Sequence, residues 1–496
     1  MKNFFFLLSL LTGLIFTSCR DDFEFEPSTG NLEFSKDTVY LDTVFTNHGS
    51  STYRLKVYNR SNKDISIPNI RLSKGESSNY RLMVDGMPGK NFNNVELLAK
   101  DSLYIFVETT IDYAQYQNQT AEYLYTDQIQ FDYGSKQQNV ELVTLVKDAY
   151  FLYPKRYTDN SYEHLLLGDE PIYGFVLDEN DPVNGNELQF NNTKPYVIYG
   201  YAAIPNNKTL TIQAGAQIHF HYGSGIIGAQ NATLQVNGTV ANPVVFQSNR
   251  LEPMFEDVAG QWGAIWMTSG STANINNAII KNGTIGLLLE DNQNELYNVQ
   301  LYNHTHYGIL ARHAQINAEN VVTNNLGKAS AALSLGGSYN FTHCTLANYG
   351  AAGTTTSLVM DNGDGSNTYA LTQANFNNCI LYGTATYALS FSKEGNTNFN
   401  FSFNNSLIKF SDYGQFSTNT LYPLANTTDY QNCIISKNNN KTPKFRDTSK
   451  NDLIIGEDSF AKALGGNFSN SGHDILGNPR PAQNADAGAY NHIIFD

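Results

Sequence analysis

The chain has 496 residues, of which 16% are charged and 12% aromatic, and its formal net charge is −15 at pH 7. This length allows two or three domains, and the aromatic-rich, charge-poor composition excludes a disordered chain. The negative balance excludes nucleic acid as a partner, because phosphates require basic patches, and it excludes electrostatic docking on anionic lipid.

Residues 1–18 have the features of an export signal. Lys2 precedes an apolar run that begins at Phe4 and is too short to favour spanning a bilayer. The following Thr17-Ser18-Cys19 resembles the lipobox of bacterial lipoproteins, which implies that Cys19 becomes the acylated first residue. An ordinary cleaved signal peptide is the alternative.

An acidic pair in Arg20-Asp21-Asp22 resembles the surface-export signal of Bacteroidetes lipoproteins. Residues 19–31 are therefore expected to be a tether. The resemblance implies a protein held in the outer membrane by its acyl chains and exposed at the cell surface. The periplasmic face of that membrane is the alternative location.

Residues 32–148 alternate short strand patterns with turn signals, which predicts an antiparallel β-sandwich. The segment resembles the immunoglobulin-type modules that precede β-helices in bacterial surface proteins, which implies a spacer. Its triplets Asp37-Thr-Val, Asp42-Thr-Val and Asp101-Ser-Leu resemble the O-glycosylation sequon of Bacteroidetes export proteins. The residues that this resemblance marks for modification are Thr38, Thr43 and Ser102.

Residues 149–205 are irregular and rich in Gly, Pro and acidic residues, and we expect them to link the domains and cap the next one. The phrases beginning at Leu210 and Ala232 look like the opening coils of right-handed parallel β-helix proteins. The expected fold class is therefore all-β, with an immunoglobulin-like sandwich followed by a right-handed parallel β-helix over residues 206–496. Two insertions, 250–261 and 351–366, interrupt its rhythm.

A short phrase recurs seven times between residues 277 and 435. The copies begin at Asn277, Asn298, Asn320, His343, Asn378, Asn405 and Asn432. The starts are 21 to 35 residues apart, and such a period without helical patterning is the mark of a β-solenoid. Unrelated hairpins in a sandwich are the alternative, but hairpins do not require matching columns.

The columns of the repeat predict the shape of one coil. Apolar or small residues recur two positions before the Asn and one and three positions after it, which no straight strand can place on one face. All three can point inward if the chain bends at the Asn, which tolerates left-handed backbone. Stacked in register, the Asn amides can also bond to one another as a ladder.

Three of the four cysteines, Cys344, Cys379 and Cys433, occupy one inward column. We expect them to be small buried hydrophobic residues, and at least one must lack an intramolecular partner because their number is odd. A metal site is not expected there, since the three thiols are stacked along an axis instead of converging.

The C-terminal phrases 474–480 and 486–490 resemble the tail motif of bacterial β-helix surface proteins, which completes and caps the last coil. An open solenoid end exposes strand edges that must be covered. Arg480 and Asp486 are expected to form a structural pair in this cap.

Several residues qualify as contacts for a ligand. Tyr302 and Tyr382 share an outward column and could stack on sugars, while His304 and His306 are expected on one strand face. The segment 361–367 resembles a loose calcium loop, with Asp361 and Asp364 as ligands, although it lacks the closing Glu of an EF-hand. A solvated loop is the alternative, and no other cofactor is expected.

The expected function is binding or presentation to an extended polymer, a glycan. The carboxylates on the repeat, among them Glu295 and Glu319, are spread out and mostly near turns, so no catalytic pair can be chosen. Binding is thus favoured over catalysis. A polysaccharide lyase or glycoside hydrolase and a purely structural envelope protein remain as alternatives.

Overall fold

The computed structural model describes residues 24–116, 122–350, 355–416, 418–425, 428–466 and 472–495. The signal segment 1–18 and Cys19 lie outside the described residues. The chain divides into two compact units, Met1–Asp148 and Ala149–Asp496. In the part of the chain that is described, no helix is long and apolar enough to cross a membrane.

The first unit is a β-sandwich with an apolar core between two sheets. The six-stranded sheet contains Glu26–Pro27, Ile65–Leu72, Glu122–Phe131, Gln138–Lys147, Thr38–Phe45 and Asn91–Leu97. The five-stranded sheet contains Glu33–Phe34, Tyr53–Tyr58, Ser102–Thr109, Tyr80–Val84 and Met87–Gly89. Short 3-10 helices are present at Gly75–Ser77, Tyr113–Tyr116 and Gly134–Lys136. Most strands alternate buried and exposed residues, which is why the two inner faces form one core.

The second unit is a parallel β-helix, so the predicted all-β fold class is confirmed. Each complete coil has three strands, and every strand pairs in parallel with its counterpart in the next coil. The first strands are Gln189–Phe190, Thr209–Gln213, Thr233–Asn237, Gln315–Glu319, Gly337–Thr342, Leu371–Asn377, Ser402–Asn404 and Tyr430–Gln431. The second strands are Tyr150–Leu152, Tyr196–Ile198, Gln217–Phe220, Val244–Ser248, Val322–Leu326, Thr345–Asn348, Ile380–Gly383, Leu407–Lys409 and Ile434–Ser436. In two coils the first and second strands are continuous, as Thr272–Lys281 and Gln293–His304.

The third strands form a sheet of their own, which begins with the hairpin His164–Leu167 and Glu170–Val176. Its further strands are Tyr201–Ile204, Gly225–Gly228, Ile265–Met267, Ile285–Glu290, Tyr307–Arg312, Ala329–Ser334, Thr356–Asp361 and Leu389–Ser392. A separate two-stranded sheet, Phe445–Asp447 and Asp452–Ile455, and the 3-10 helices Pro253–Phe255 and Thr448–Lys450 complete the unit.

The bend between first and second strands is the corner that the repeat predicts. All seven corner residues have left-handed backbone, with φ between 50° and 56°. Their side chains form ladder segments: the Asn298 Nδ2 donates to Asn277 Oδ1 over 2.9 Å, and Asn320 Nδ2 donates to Asn298 Oδ1 over 2.9 Å. The corner and its ladder are thereby confirmed.

A second Asn corner lies at the end of the second strand and was not predicted. Asn282, Asn303 and Asn325 are also left-handed, and Asn325 Nδ2 donates to Asn303 Oδ1 over 2.6 Å. Their spacing of 21 and 22 residues in the sequence is the signal that could have revealed it.

The start of the solenoid differs from its predicted position at residue 206. Tyr150–Leu152 pairs in parallel with Tyr196–Ile198, and Gly174 to Val176 pair with Tyr201–Ile204. Residues 149–205 are therefore coils of the solenoid instead of a linker. The sequence pattern does not reveal these coils, because their strands are only two to seven residues long and are separated by acidic loops rich in Gly and Pro.

The predicted C-terminal cap also has a different position. The described segments 441–466 and 472–495, which we call the tail, pack along the outward side of the second strands instead of covering the last coil. Leu453, Ile475 and Tyr490 of the tail pack on Tyr302 and Val322. A neighbouring cluster brings together Ile455, Ala461, Ala487, Ile380, Tyr382 and Leu407. This second cover buries the outward side chains of the second strands that it reaches, namely Tyr302, Val322, Ala347, Ile380, Tyr382 and Leu407.

The predicted burial of the cysteine column is confirmed for Cys344 and Cys379 and only in part for Cys433. Cys344 and Cys379 are fully buried, Cys433 is partly buried, and all three are free thiols. Burial raises the pKa of Cys433 to about 11, and burial together with the neighbouring Cys344 raises the pKa of Cys379 well above its ordinary value.

These thiols should be inert in the folded protein, since only the thiolate is nucleophilic. In a chain lacking residues 1–23, we expect none of the three thiols to react within minutes with a thiol-specific disulfide reagent at pH 8. After guanidinium unfolding, all three should react. Fast reaction of the native protein would contradict a closed column.

Candidate functional site: a polar face on the solenoid

The outward side chains of the first strands form three straight columns, which we call the polar face. The column farthest from the corner contains Thr209, Thr233, Thr272, Gln293, Gln315, Ser338 and Gln373. The middle column contains Gln189, Thr211, Gln235, Asn274, Glu295, Asn317, Asn340, Asn375 and Ser402. The column beside the corner contains Gln213, Asn237, Asn276, Tyr297, Glu319, Thr342, Asn377, Asn404 and Gln431.

Uncharged hydrogen-bonding groups dominate this face. Apart from Glu295, Tyr297 and Glu319, every residue of the three columns is Thr, Ser, Asn or Gln. Register explains the uniformity, because a parallel solenoid places equivalent strand positions directly above one another. The face is thus a lattice of amides and hydroxyls that repeats every ~4.8 Å along the solenoid.

The amides of the middle column are oriented by one another. Asn317 Nδ2 donates to Glu295 Oε1 over 2.8 Å, and Asn340 Nδ2 donates to Asn317 Oδ1 over 3.0 Å. Asn375 Nδ2 then donates to Asn340 Oδ1 over 2.8 Å. Since an amide offers two donors and two acceptor positions, each ladder residue keeps groups that can bind a ligand.

A groove of about 550 Å³ lies on the centre of the polar face. Its lining is Asn276, Glu295, Leu296, Tyr297, Asn317, Ala318, Glu319, Asn340, Thr342 and Asn377. These residues span five coils, which corresponds to ~19 Å along the solenoid axis. Glu295 and Asn317 are exposed, Tyr297 is half-buried, and Glu319 is only 7% exposed.

The two carboxylates of the groove lie on first strands, Glu319 directly before its corner as the sequence implied and Glu295 three residues before its own. Glu295 pairs with Asn317 in the next coil, and Glu319 follows two residues later on the same strand. Strand spacing and rise place their Cα atoms ~8 Å apart. The solenoid thus brings two carboxylates that are 24 positions apart in the sequence into one groove.

Arg480 of the tail lies beside this groove, at the corner. Its Nη2 donates to Asn320 Oδ1 over 2.9 Å and to the Gly488 carbonyl over 3.0 Å, and its Nε donates to the His473 carbonyl over 3.2 Å. Burial lowers the pKa of Arg480, while Asp474, Glu319 and Asp486 oppose that shift. The guanidinium thus belongs to the junction between tail and corner.

The predicted pair of Arg480 and Asp486 is not a direct contact in the described residues. Asp486 instead accepts hydrogen bonds from the Ala463 backbone over 2.9 Å and from the His492 backbone over 2.7 Å. The two residues are both structural, but each holds a different part of the tail.

Tyr302 and Tyr382 point outward as predicted but are not available to a glycan. They are only 7% and 3% exposed, since the tail covers them. The Tyr302 hydroxyl donates to Gln300 Oε1 over 3.0 Å. Their prediction as contacts is wrong because the repeat pattern cannot show that a distant segment packs over its outer side.

The prediction of His304 and His306 on one strand face is also wrong. His304 is 1% exposed and points into the coil, where its Nδ1 accepts from the Gly283 N–H and its Nε2 donates to the Ile280 carbonyl, both over 3.1 Å. His306 lies past the strand end and is half-buried. Burial lowers its pKa, and Lys328 adds to that effect.

His304 should make the solenoid sensitive to acid. Burial lowers its pKa from 6.5 to about 4, so the folded chain binds fewer protons than the unfolded chain between these values. The contribution of neutral His304 to the free energy of unfolding is complete above pH 6.5 and is lost as the pH falls toward 4. The free energy of unfolding should therefore fall by roughly 2 kcal/mol between pH 7 and 5.

Guanidinium unfolding followed by Trp fluorescence at both pH values measures this loss, since Trp262 and Trp266 are the chain's two tryptophans. We expect His304→Gln to lower the free energy of unfolding at pH 7 and to flatten its pH dependence. An unchanged slope in this variant would contradict the assignment.

The predicted calcium ligands Asp361 and Asp364 are both engaged by the protein, Asp361 by the preceding coil and Asp364 by its own loop. Asp361 accepts from Ser334 Oγ over 2.8 Å and from the Leu335 N–H over 2.9 Å. Asp364 Oδ1 accepts from the Ser366 and Asn367 N–H groups, which lower its pKa. Over the described residues, no group of three His, Cys, Asp or Glu side chains converges to hold a metal.

The remaining predicted sites lie on the sandwich or outside the described residues. Thr38 and Thr43 lie on Thr38–Phe45, and Ser102 begins Ser102–Thr109; all three side chains are half-buried. Their glycosylation and the acylation of Cys19 stay predictions. The insertion 250–261 packs at the second corner, where Asn282 Nδ2 donates to the Glu256 carbonyl over 2.9 Å.

Comparison with known proteins links part of the solenoid to a family. Residues 183–286 match the family described as pectate-lyase-like beta helix domain. The match begins after the strands of the first coil and ends where most of the groove begins. No curated protein sequence matches the chain.

Two solved structures have weak similarity. A PapD-like domain of human CEP192 is 10% identical, with 25% of this chain and 89% of that chain covered and a TM-score of 0.16. A family 123 glycoside hydrolase from Clostridium perfringens is 11% identical, with 24% and 26% covered and a TM-score of 0.16. The chain thus spans about a quarter of the hydrolase, and such TM-scores do not indicate a shared overall fold.

Proposed function

We propose that the chain is a lipid-anchored envelope protein whose solenoid binds an extended glycan along the polar face. The groove over five coils, with its oriented amides and its single aromatic ring, is the observation that carries the proposal. Sugar hydroxyls both donate and accept hydrogen bonds, as the free groups of an amide ladder do. The family match of residues 183–286 supports a carbohydrate-related role.

The direction of the groove supports a polymeric ligand. Equivalent side chains repeat along the solenoid axis, so a chain lying in the groove would meet the same groups at each coil. Tyr297 is the aromatic surface on which a sugar ring would stack. A small ligand would not need a face of this length.

Affinity electrophoresis of the protein in gels containing different polysaccharides tests this proposal. We expect retardation by at least one polymer, and Tyr297→Ala should weaken binding by about tenfold, the equivalent of one stacking contact. Tyr222→Ala is the matched control, because Tyr222 is 80% exposed and lies outside the polar face. Equal losses of binding for the two substitutions, or no retardation by any polymer, would contradict the proposal.

The anchor is tested separately. If Cys19 is acylated, Cys19→Ser should move the protein from the membrane fraction to the soluble fraction, because several acyl chains are needed for stable anchoring. Protease treatment of intact cells would then distinguish surface exposure from the periplasmic face. A Cys19→Ser protein that stays in the membrane would contradict acylation.

Hydrolysis of the bound glycan is a second candidate, which the placement of Glu295 and Glu319 in one groove favours. Their Cα atoms are ~8 Å apart, and two carboxyl groups at one sugar-binding surface are the equipment of glycoside hydrolases. In that case Glu319→Gln would abolish the release of reducing ends while binding persists. If the unaltered protein releases no reducing ends from any polymer that it binds, this activity is excluded.

A further inference from the structure

The groove carries negative charge only. Of its ten lining residues, all within the described chain, Glu295 and Glu319 are charged and none is Lys, Arg or His. The same holds along the remaining polar face, where the three columns add only Thr, Ser, Asn and Gln. A polymer lying along the face would therefore meet two carboxylates and no cation.

We propose that the groove selects a glycan without acidic groups, either uncharged or amine-bearing, and rejects polyuronates. This inference rests on the proposed glycan binding and specifies its substrate class. It departs from what the name of the matched family would imply, since pectate is a polymer of negatively charged uronic acid residues.

Repulsion of like charges is the physical reason. A polyuronate carries one carboxylate per sugar, so a chain spanning ~19 Å of the groove would place several negative charges near Glu295 and Glu319. The net charge of −15 adds an unfavourable long-range field at low salt. An amine on a sugar ring would instead be attracted by the exposed Glu295.

The nearby cation offsets only part of this repulsion. Arg480 is 9% exposed; its Nη2 and Nε donate to Asn320, Gly488 and His473, and its Nη1 is buried without a hydrogen-bond partner among the described residues. Its positive charge is attracted by Asp474, Glu319 and Asp486 together. The guanidinium is thus shared among three carboxylates, is not presented to a ligand, and leaves the charge of the exposed Glu295 without compensation by Arg480.

Glu295→Gln and Glu319→Gln together test the inference, because glutamine keeps the shape and an acceptor oxygen for Asn317 while removing the charge. Binding of the full-length protein and the double variant is compared with a neutral glucan, a neutral galactan, chitosan and polygalacturonate, with and without calcium. Trp fluorescence unfolding confirms that both proteins are folded.

We expect the unaltered protein to bind a neutral polymer or chitosan at least tenfold more tightly than polygalacturonate. In the double variant, the ratio of these two affinities should be at least threefold smaller. Its affinity for chitosan should also no longer depend on salt concentration. Binding of polygalacturonate as tight as that of the other polymers, in any condition, would overturn the inference and leave glycan binding intact. Binding of no polymer would overturn both.

Discussion

Replacing Arg480 with Ala is expected to destabilise the solenoid by about 3 kcal/mol or more. The substitution removes hydrogen bonds to Asn320 Oδ1, the Gly488 carbonyl and the His473 carbonyl. It also removes a positive charge that is attracted by Asp474, Glu319 and Asp486. Buried groups that lose a charged partner cost this much because they cannot turn to water.

The measurement is guanidinium unfolding followed by the fluorescence of Trp262 and Trp266, which report on the solenoid alone. Arg312→Ala is the control, because Arg312 forms an exposed pair with Glu290 that is worth at most about 1 kcal/mol. Arg480→Lys should fall between wild type and Arg480→Ala, since it keeps the charge without the fork of donors. Equal losses for Arg480→Ala and Arg312→Ala would show that the tail is not held at this point.

Replacing Asn298 with Val is expected to cost about 4 kcal/mol, and replacing it with Gly about 2 kcal/mol. Both substitutions remove the ladder bonds to Asn277 and Asn320, each 2.9 Å long. Only Val also forces a β-branched side chain into left-handed backbone, where φ is 54°. The difference between the two variants therefore isolates the backbone requirement of the corner.

Asn231 provides the matched control for this series. It is left-handed as well, with φ of 59°, but it is exposed. The hydrogen bond from its side-chain amide to Asn207 Oδ1 is also exposed to solvent. Asn231→Gly should change the free energy of unfolding by less than about 1 kcal/mol. Equal destabilisation by Asn298→Gly and Asn298→Val would contradict a left-handed requirement at the corner.

The fold followed from the sequence where the repeat is regular. Columns two before, one after and three after each Asn predicted a bent coil, and the corners from Asn277 to Asn432 have that conformation. The first coils were missed, because strands as short as Gln189–Phe190 leave no periodic pattern. Local patterns thus identify a coil only when its strands are long enough to repeat a column.

The candidate site was not predicted. Tyr302 and His304 stand out in the sequence as an aromatic and a potential ligand, yet the tail covers the first and the coil encloses the second. The residues that line the groove, such as Asn317 and Asn340, are ordinary polar residues that become a surface only by stacking. These polar residues are aligned in the repeat one and three positions before each corner, outside the inward columns that predicted the coil.

The sequence by itself determined the coil, because backbone preference at Asn and the inward apolar columns are local properties repeated at each turn. Only the tertiary structure decided which outward surface is open. That choice depends on contacts between segments far apart in the chain: Arg480 reaches Asn320 across 160 positions, and Tyr490 covers Tyr302. The tail covers the second strands from Gln293–His304 onward and leaves the polar face of the first strands, with its exposed Glu295, open to solvent and ligands.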